Sequence, residues 1–344
     1  DPEERPGGVC LFRGCIPTKA LLHAVKLGAE VDRARNWGFR TQGEGWDVDM
    51  LRDWKDEVVK DLTSGVQALA SRRGIEHLQA WARFLDPHTL ELTPPGEEGT
   101  DEGSVKQSVK GSDESSRIPE RIQADHIILA TGAKPVMLPM LPEDDRVWTS
   151  ESALDIPFVP DRLLVIGAGY IGLEMSYIYQ GLGSDVDIAE MTDQIMPGAD
   201  RDLIDVFREV NESRYSRIML STRVEEVSAG DEGLTVQFAG DGAPDEAATY
   251  DAVLVAAGRK PRLDQLQLDK AGVSLSEEGF VEVDAQLRSS VPHIQAVGDI
   301  AGGPMLAHKG RHEGRIAAKV VAGDEAARLD ASRVPAVEYT DPEI

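Results

Sequence analysis

Leu163-Leu-Val-Ile-Gly167-Ala-Gly169-Tyr-Ile-Gly172 decides the fold. Four apolar residues read as a short buried strand, glycines follow at 167, 169 and 172, and an amphipathic helical stretch continues to Leu182. A second apolar strand, Val186-Asp-Ile-Ala-Glu190, ends in an acid 18 residues beyond Gly172. Strand, glycine turn, helix, strand and terminal acid in that order make a complete dinucleotide fingerprint, not an isolated glycine pattern. Gly167 permits the tight turn, Gly169 lets the backbone approach a pyrophosphate, and Gly172 lets the helix pack closely on the strand. The pyrophosphate then lies at the helix N-terminus, beside Tyr170 and Ile171, where unpaired N–H groups and the helix dipole favour an anion. Glu190 is placed to bind ribose hydroxyls and to repel a 2′-phosphate. No arginine occurs in 191–196, so the spacing predicts NAD rather than NADP.

On either side of this stretch one pattern occurs twice. Asp125-His-Ile-Ile-Leu-Ala-Thr-Gly-Ala-Lys-Pro135 and Asp251-Ala-Val-Leu-Val-Ala-Ala-Gly-Arg-Lys-Pro261 agree at every position of D-x-[IV]-[IL]-[LV]-A-x-G-x-K-P. A continuous apolar run that ends in glycine suits a strand of a parallel sheet covered on both faces. Two copies imply a tandem pair of α/β units, hence an α/β fold with two Rossmann-like nucleotide-binding domains.

The remaining chain sets limits. Its 344 residues carry 36 Lys+Arg against 61 Asp+Glu, a formal charge of −25, which argues against a nucleic-acid partner. No apolar run is long enough to span a membrane, and no secretory leader is read, so a cytoplasmic location is expected. The periodicity predicts one helix from Thr18 to Arg35. It predicts another from Asp47 to Arg72, with Leu51, Trp54, Val58, Leu62, Val66 and Leu69 on its apolar stripe. Residues 75–92 read as two short strands and 93–121, rich in Gly, Ser, Pro and Glu, as a long surface loop. His308, His312 and Glu313 read as a helix start, so no metal site is expected. The chain opens on Asp1 and closes on Ile344 after an apparent strand and turn, and it reads as an internal piece of a longer protein.

Only two cysteines occur, Cys10 and Cys15, which excludes a disulfide framework and most structural zinc sites. Two readings are open. Thiols at a loop–helix junction can reach disulfide distance. Cys15, near the helix start and one turn before Lys19, would be stabilised as a thiolate. Alternatively both are small buried hydrophobes.

Taken together, Gly7-Gly-Val-Cys10…Gly14-Cys15-Ile-Pro-Thr-Lys19, Ala130-Thr131-Gly132, the fingerprint at 167–172 and Val297-Gly298-Asp299 resemble the flavin-dependent pyridine nucleotide–disulfide oxidoreductases. Met305-Leu-Ala-His-Lys309 and Tyr339-Thr-Asp-Pro-Glu343 are most similar to the branch that oxidises dihydrolipoamide. The resemblance implies an FAD-binding domain at 1–153, an NAD-binding domain at 154–273, a central continuation of the FAD domain at 274–333, and only the start of a dimer-interface domain at 334–344. It implies Cys10 and Cys15 as a redox-active disulfide, with Lys19 near the flavin and paired with Glu174. Gly8, Lys19, Ala80, Ala130, Thr131, Gly132, Asp299 and Ala307 would contact FAD. Gly167, Gly169, Tyr170, Ile171, Gly172, Glu190, Val224, Ala256, Ala257, Gly258 and Arg259 would contact NAD.

The implied reaction is oxidation of protein-bound dihydrolipoamide to lipoamide with reduction of NAD. Its implied partners are the lipoyl domains of 2-oxo acid dehydrogenase complexes and a second copy of the chain. Some positions depart from the family pattern. The first glycine fingerprint, for FAD, and the His–Glu pair of the interface domain have no counterpart here. Phe12 and Arg13 replace the usual Asn and Val between the cysteines. Tyr170 stands where most of that branch carries an aliphatic residue and glutathione reductases carry tyrosine. Two rival readings are a flavin reductase for glutathione- or mycothiol-type disulfides and a non-catalytic NAD-binding module.

Overall fold

The computed structural model describes residues 1–40, 45–96, 118–211 and 213–344. These gather into two units, each discontinuous in sequence. One unit comprises Asp1–Gly8, Thr63–Lys134 and Lys260–Ala336. The other comprises Val9–Leu62, Pro135–Arg259 and Val337–Ile344.

The second unit is built on a five-stranded parallel sheet. Its spatial order is Val147–Thr149, Ala252–Val255, Arg162–Ile166, Asp185–Ala189, Arg217–Met219. The chain leaves Arg162–Ile166 toward Asp185–Ala189 and later returns to place Ala252–Val255 on the opposite side. The strand order therefore reverses between Arg162–Ile166 and Ala252–Val255, and ligands of open α/β sheets bind at the carboxyl end of such a point. Alternation along the strand explains the unbroken apolar sequence. Leu163 and Val165 enter one buried cluster, with Leu21, Val25, Leu173 and Ile178 of two helices, Cys15–Arg35 and Tyr170–Leu182. Leu164 and Ile166 enter another, with Val227, Leu234 and Val236 of a three-stranded antiparallel sheet. Fully burying each such aliphatic side chain contributes about 1.5–3 kcal/mol.

The two helices cross closely. A Cβ at Gly181 would lie 2.7 Å from Val25 Cβ, and the Gly181 carbonyl accepts a hydrogen bond from the Trp46 indole at 2.9 Å.

In the first unit, Trp81–Asp86, Thr89–Thr93 and Arg121–Gln123 form an antiparallel sheet. Ile127–Leu129 and Ile294–Ala296 form a parallel pair. Phe84, Ile127, Leu129, Leu268, Ile294, Ala296 and Ile300 fill its core. The repeated motif thus ends one parallel strand in each unit.

Two expectations are corrected. Both ends of the predicted 93–121 loop, Thr93 and Arg121, are strand residues, and its middle, 97–117, lies outside the described residues. The helix Val48–Arg72 forms where predicted, with Asp47 capping the Met50 N–H at 3.0 Å. Its predicted apolar stripe is turned outward, however. Leu51 is buried, but Trp54, Leu62, Val66 and Leu69 are exposed. The neighbouring row is fixed by carbonyl acceptors instead: Arg52 donates to Asp155 O and Ile156 O, and buried Lys55 donates to Leu154 O at 2.9 Å. Charge-assisted bonds to backbone oxygens outweigh a modest apolar stripe here. Among the described residues, no helix is long and apolar enough to cross a membrane.

Candidate active site

Cys10 lies in the short helix Gly8–Arg13, and Cys15 is the first residue of Cys15–Arg35. Gly14 joins them and admits no side chain without crowding, since a Cβ there would meet Val9 O at 3.0 Å and Cys10 Cα at 3.3 Å. Thr18 fastens the turn, donating Oγ1 to Gly14 O at 2.7 Å. Both sulfurs are half-buried and present as thiols. Cys10 donates its proton toward Cys15, which drives the Cys10 pKa far up. That same hydrogen bond, helped by the Lys19 ammonium and the backbone, holds Cys15 down to about 7 against desolvation. An unequal pair of this kind has one poised thiolate and one protonated thiol at neutral pH.

Lys19, one turn along, donates to both carboxylate oxygens of buried Glu174, at 2.6 and 2.8 Å. Glu174 lies on the fingerprint helix, so the thiol helix and the nucleotide helix share one ion pair. The Lys19 ammonium also lies 4.6 Å from the Tyr339 ring centroid. Beside Tyr339, burial and the Glu174 charge push the Glu338 carboxyl up to about 9, with Lys19 opposing. Sequence reasoning missed Glu338, because a lone acid among loop residues carries no periodic signal.

The glycine turn has the geometry that a dinucleotide cradle needs. Gly167 has φ +105°, and a Cβ there would meet Ala256 O at 2.5 Å. A Cβ at Gly172 would lie 1.9 Å from Gly167 O, so the helix can sit this close to the turn only without a side chain. At Gly169 the space is open, and the helix start there has no side-chain cap. A helix start of this kind, with the positive end of its dipole at the turn, suits an anion.

Glu190, one residue beyond its strand, is fixed by three hydrogen bonds at 2.8 Å: from Ala168 N, Thr192 N and Thr192 Oγ1. The acid is therefore tied to the turn itself. Thr192 was not picked out from sequence, although a hydroxyl two residues after an acid commonly closes such a loop. Tyr170 is exposed and Ile171 half-buried at the helix start. Ala256 to Arg259 follow the strand across the reversal point. Val224 is buried in the layer beneath the sheet, with Ile166 and Met219. Arg259 pairs with Glu151 at 2.9 Å, a residue the sequence gave no reason to single out.

The residues expected to face FAD on the first unit form a second arrangement. Val297 N donates to Leu129 O at 2.9 Å, so the turns Ala130-Thr131-Gly132 and Val297-Gly298-Asp299 leave adjacent parallel strands side by side. Gly132 and Gly298 adopt φ of +69° and +76°. Thr131 Oγ1 donates to Arg262 O at 2.8 Å, and Asp299 is half-buried. The helix Ala307–Val321 starts without a side-chain cap, and Glu313 accepts from Gly298 N at 2.6 Å and pairs with Lys309 at 2.9 Å. Glu313 is thereby a structural clamp, and His308 bonds Pro335 O at 2.6 Å. The Ala80 N–H is taken by Asp1 O at 3.1 Å, and Gly8 has φ +64°. Among the described residues, no group of three His, Cys, Asp or Glu is placed to hold a metal.

Comparison with known proteins places this geometry. Residues 4–314 match the family model for pyridine nucleotide-disulphide oxidoreductases. The chain is 41% identical over 339 residues to a dihydrolipoyl dehydrogenase of Vibrio cholerae, covering 98% of this chain and 66% of that protein. It is 38% identical to dihydrolipoyl dehydrogenase 3 of Haloarcula marismortui, covering 98% and 68%. The chain thus spans about two thirds of the length of these relatives. Among solved structures, the copper(II) complex of the HOCl-induced flavoprotein disulfide reductase RclA from Escherichia coli superposes with a TM-score of 0.79 at 25% identity, covering 98% of this chain and 68% of that one.

Proposed function

The chain belongs to the pyridine nucleotide–disulphide oxidoreductase family, and from that premise we propose that it oxidises protein-bound dihydrolipoamide to lipoamide with FAD, reducing NAD. The observation that carries the proposal is the unequal thiol pair. Cys15, held near 7, stands one turn from the Lys19–Glu174 ion pair, within the same unit as a complete dinucleotide turn.

In the forward reaction a dihydrolipoamide thiolate attacks Cys10 of the Cys10–Cys15 disulfide, and Cys15 leaves as a thiolate. The second substrate thiol, losing its proton, then attacks the substrate sulfur of the mixed disulfide. The lipoamide ring closes and Cys10 is released to take up a proton. Two electrons now reside in the protein dithiol. Lys19 stabilises the Cys15 thiolate, and Glu174 keeps the ammonium in place. When bound, FAD supplies the two-electron relay between dithiol and nicotinamide. Gly8, Lys19, Ala80, Ala130, Thr131, Gly132, Asp299 and Ala307 are the residues that would hold it. The paired glycine turns and the uncapped start of Ala307–Val321 suit a group carrying phosphate and ribityl hydroxyls. Gly167, Gly169 and Gly172 would cradle the NAD pyrophosphate, and Glu190 its ribose.

The same reading names lipoyl domains and a second copy of the chain as partners, with the cytoplasm as location. It keeps the division into an FAD part (1–153 and 274–333), an NAD part (154–273) and an interface segment (334–344). A second reading, reduction of a small disulfide, draws on the exposed Tyr170 at the nucleotide turn and on the likeness to RclA. Anaerobic titration of the flavin-loaded protein separates the two. Reduction by dihydrolipoamide and reoxidation by NAD supports the first, whereas reoxidation by glutathione disulfide but not by NAD supports the second.

A further inference from the structure

Arg13 lies between the two cysteines, and its Nε is 3.4 Å from Glu151 Oε2. The other oxygen of the same carboxylate, Oε1, accepts from Arg259 Nη2 at 2.9 Å. Glu151 is 16% exposed and Arg259 only 9%, so neither charge is well solvated and each depends on its partner. One carboxylate thus holds the loop that carries the thiols with one oxygen and the arginine of the nucleotide cleft with the other. All three residues belong to the same unit. The end of the helix Gly8–Arg13 and the start of the strand Arg259–Pro261 meet at a single acid.

We infer that Glu151 is a positioning residue that couples the redox state of Cys10 and Cys15 to nucleotide binding through the Arg13–Glu151–Arg259 chain. The inference rests on the proposed dinucleotide site. In the dithiol form seen here, Glu151 divides its charge between two guanidinium groups. Forming the disulfide draws the sulfurs to about 2.05 Å. Only Gly14 separates Arg13 from Cys15, so closing this short loop moves Arg13 off Glu151. The acid then has Arg259 as its sole cationic partner and can engage it with both oxygens. Arg259, more fully neutralised, attracts an anionic dinucleotide less. The dithiol form therefore binds nucleotide more tightly than the disulfide form, and by linkage nucleotide favours the dithiol.

The test measures binding of 1,4,5,6-tetrahydro-NAD, whose ring neither gives nor accepts hydride, to the flavin-loaded protein by calorimetry. The protein is compared as disulfide and after dithiothreitol. The reagent passes two electrons to the disulfide, giving two protein thiols and its own cyclic disulfide. Wild type should bind about fivefold or more tightly as the dithiol. Arg13→Val should bind with the weaker affinity in both states, and Glu151→Gln with the tighter affinity in both. If Arg13→Val does not fold, Glu151→Gln alone still reads the coupling. Equal wild-type affinities, or a redox difference that survives in either variant, would overturn the inference. No binding in any form would overturn the nucleotide assignment as well.

Discussion

Lys19 donates to both oxygens of Glu174, at 2.6 and 2.8 Å, and so ties the helix that begins at Cys15 to the helix that begins at the dinucleotide turn. Glu174 is buried, and the ammonium is shielded on another side by the Tyr339 ring. The pair makes opposite demands on Cys15: Lys19 lowers its pKa and Glu174 raises it. Lys19→Met should move the pH midpoint of Cys15 alkylation upward from about 7. Glu174→Gln should move it downward. Iodoacetamide rates followed by peptide mass spectrometry across pH 5 to 10 decide the signs, and shifts in the same direction would exclude this account.

Glu190 should determine nucleotide choice. Glu190→Gln removes the charge that repels a 2′-phosphate, so the preference for NADH over NADPH narrows. Thr192→Val keeps the backbone N–H but loses the hydroxyl bond to Glu190 at 2.8 Å. A lost hydrogen bond to a charged acceptor of about 1.5 kcal/mol corresponds to roughly tenfold weaker NADH binding. Fluorescence titration with both nucleotides checks each variant.

The three turn glycines should separate in their effects. Gly169→Ala adds a methyl into open space at a position with φ −75°, so melting temperature should stay and nucleotide binding should fall. Gly172→Ala places a carbon 1.9 Å from Gly167 O, so the helix must shift and stability should fall too. Equal loss of stability in the two variants would contradict the cradle geometry.

Much of the nucleotide turn was legible in the sequence because its requirements are local. Strand, glycines, helix and acid lie within 28 residues, 163–190, and Gly167 and Gly172 answer contacts made inside that stretch or with the residue that follows one neighbouring strand. The repeated motif at 125–135 and 251–261 also announced the parallel strands that end at Leu129 and Val255. Less was legible wherever a side chain finds its partner far along the chain. Glu151 meets Arg13 and Arg259, and Glu338 meets Lys19 and Glu174, across separations that no periodicity encodes. The stripe of Val48–Arg72 misled because apolar spacing specifies a face but not what that face meets. Lys55 and Arg52 found carbonyls on the adjacent row.

Glu338 makes the segment Val337–Ile344 sensitive to pH. Its folded pKa, about 9, lies above the ordinary value of 4.5 because of burial and the Glu174 charge. Between those values the folded state holds a proton that the undocked state releases, so docking is strongest below about 4.5 and weakens as pH rises toward 9. Hydrogen exchange of residues 337–344 should accelerate between pH 6 and 9 beyond the intrinsic rate increase. Glu338→Gln should abolish the excess. An identical excess in the variant would remove Glu338 from the explanation.

The most direct test of the thiol assignment is the pH dependence of alkylation in two single-cysteine variants. In Cys10→Ser the serine hydroxyl still donates to Cys15, and Lys19 remains one turn away. Cys15 should therefore react with a midpoint near 7. In Cys15→Ser the remaining thiol is still half-buried, and burial alone keeps raising it, so Cys10 should stay unreactive until above the ordinary thiol value of 9.0. A midpoint near neutrality for Cys10, with Cys15 inert below pH 9, would contradict the account.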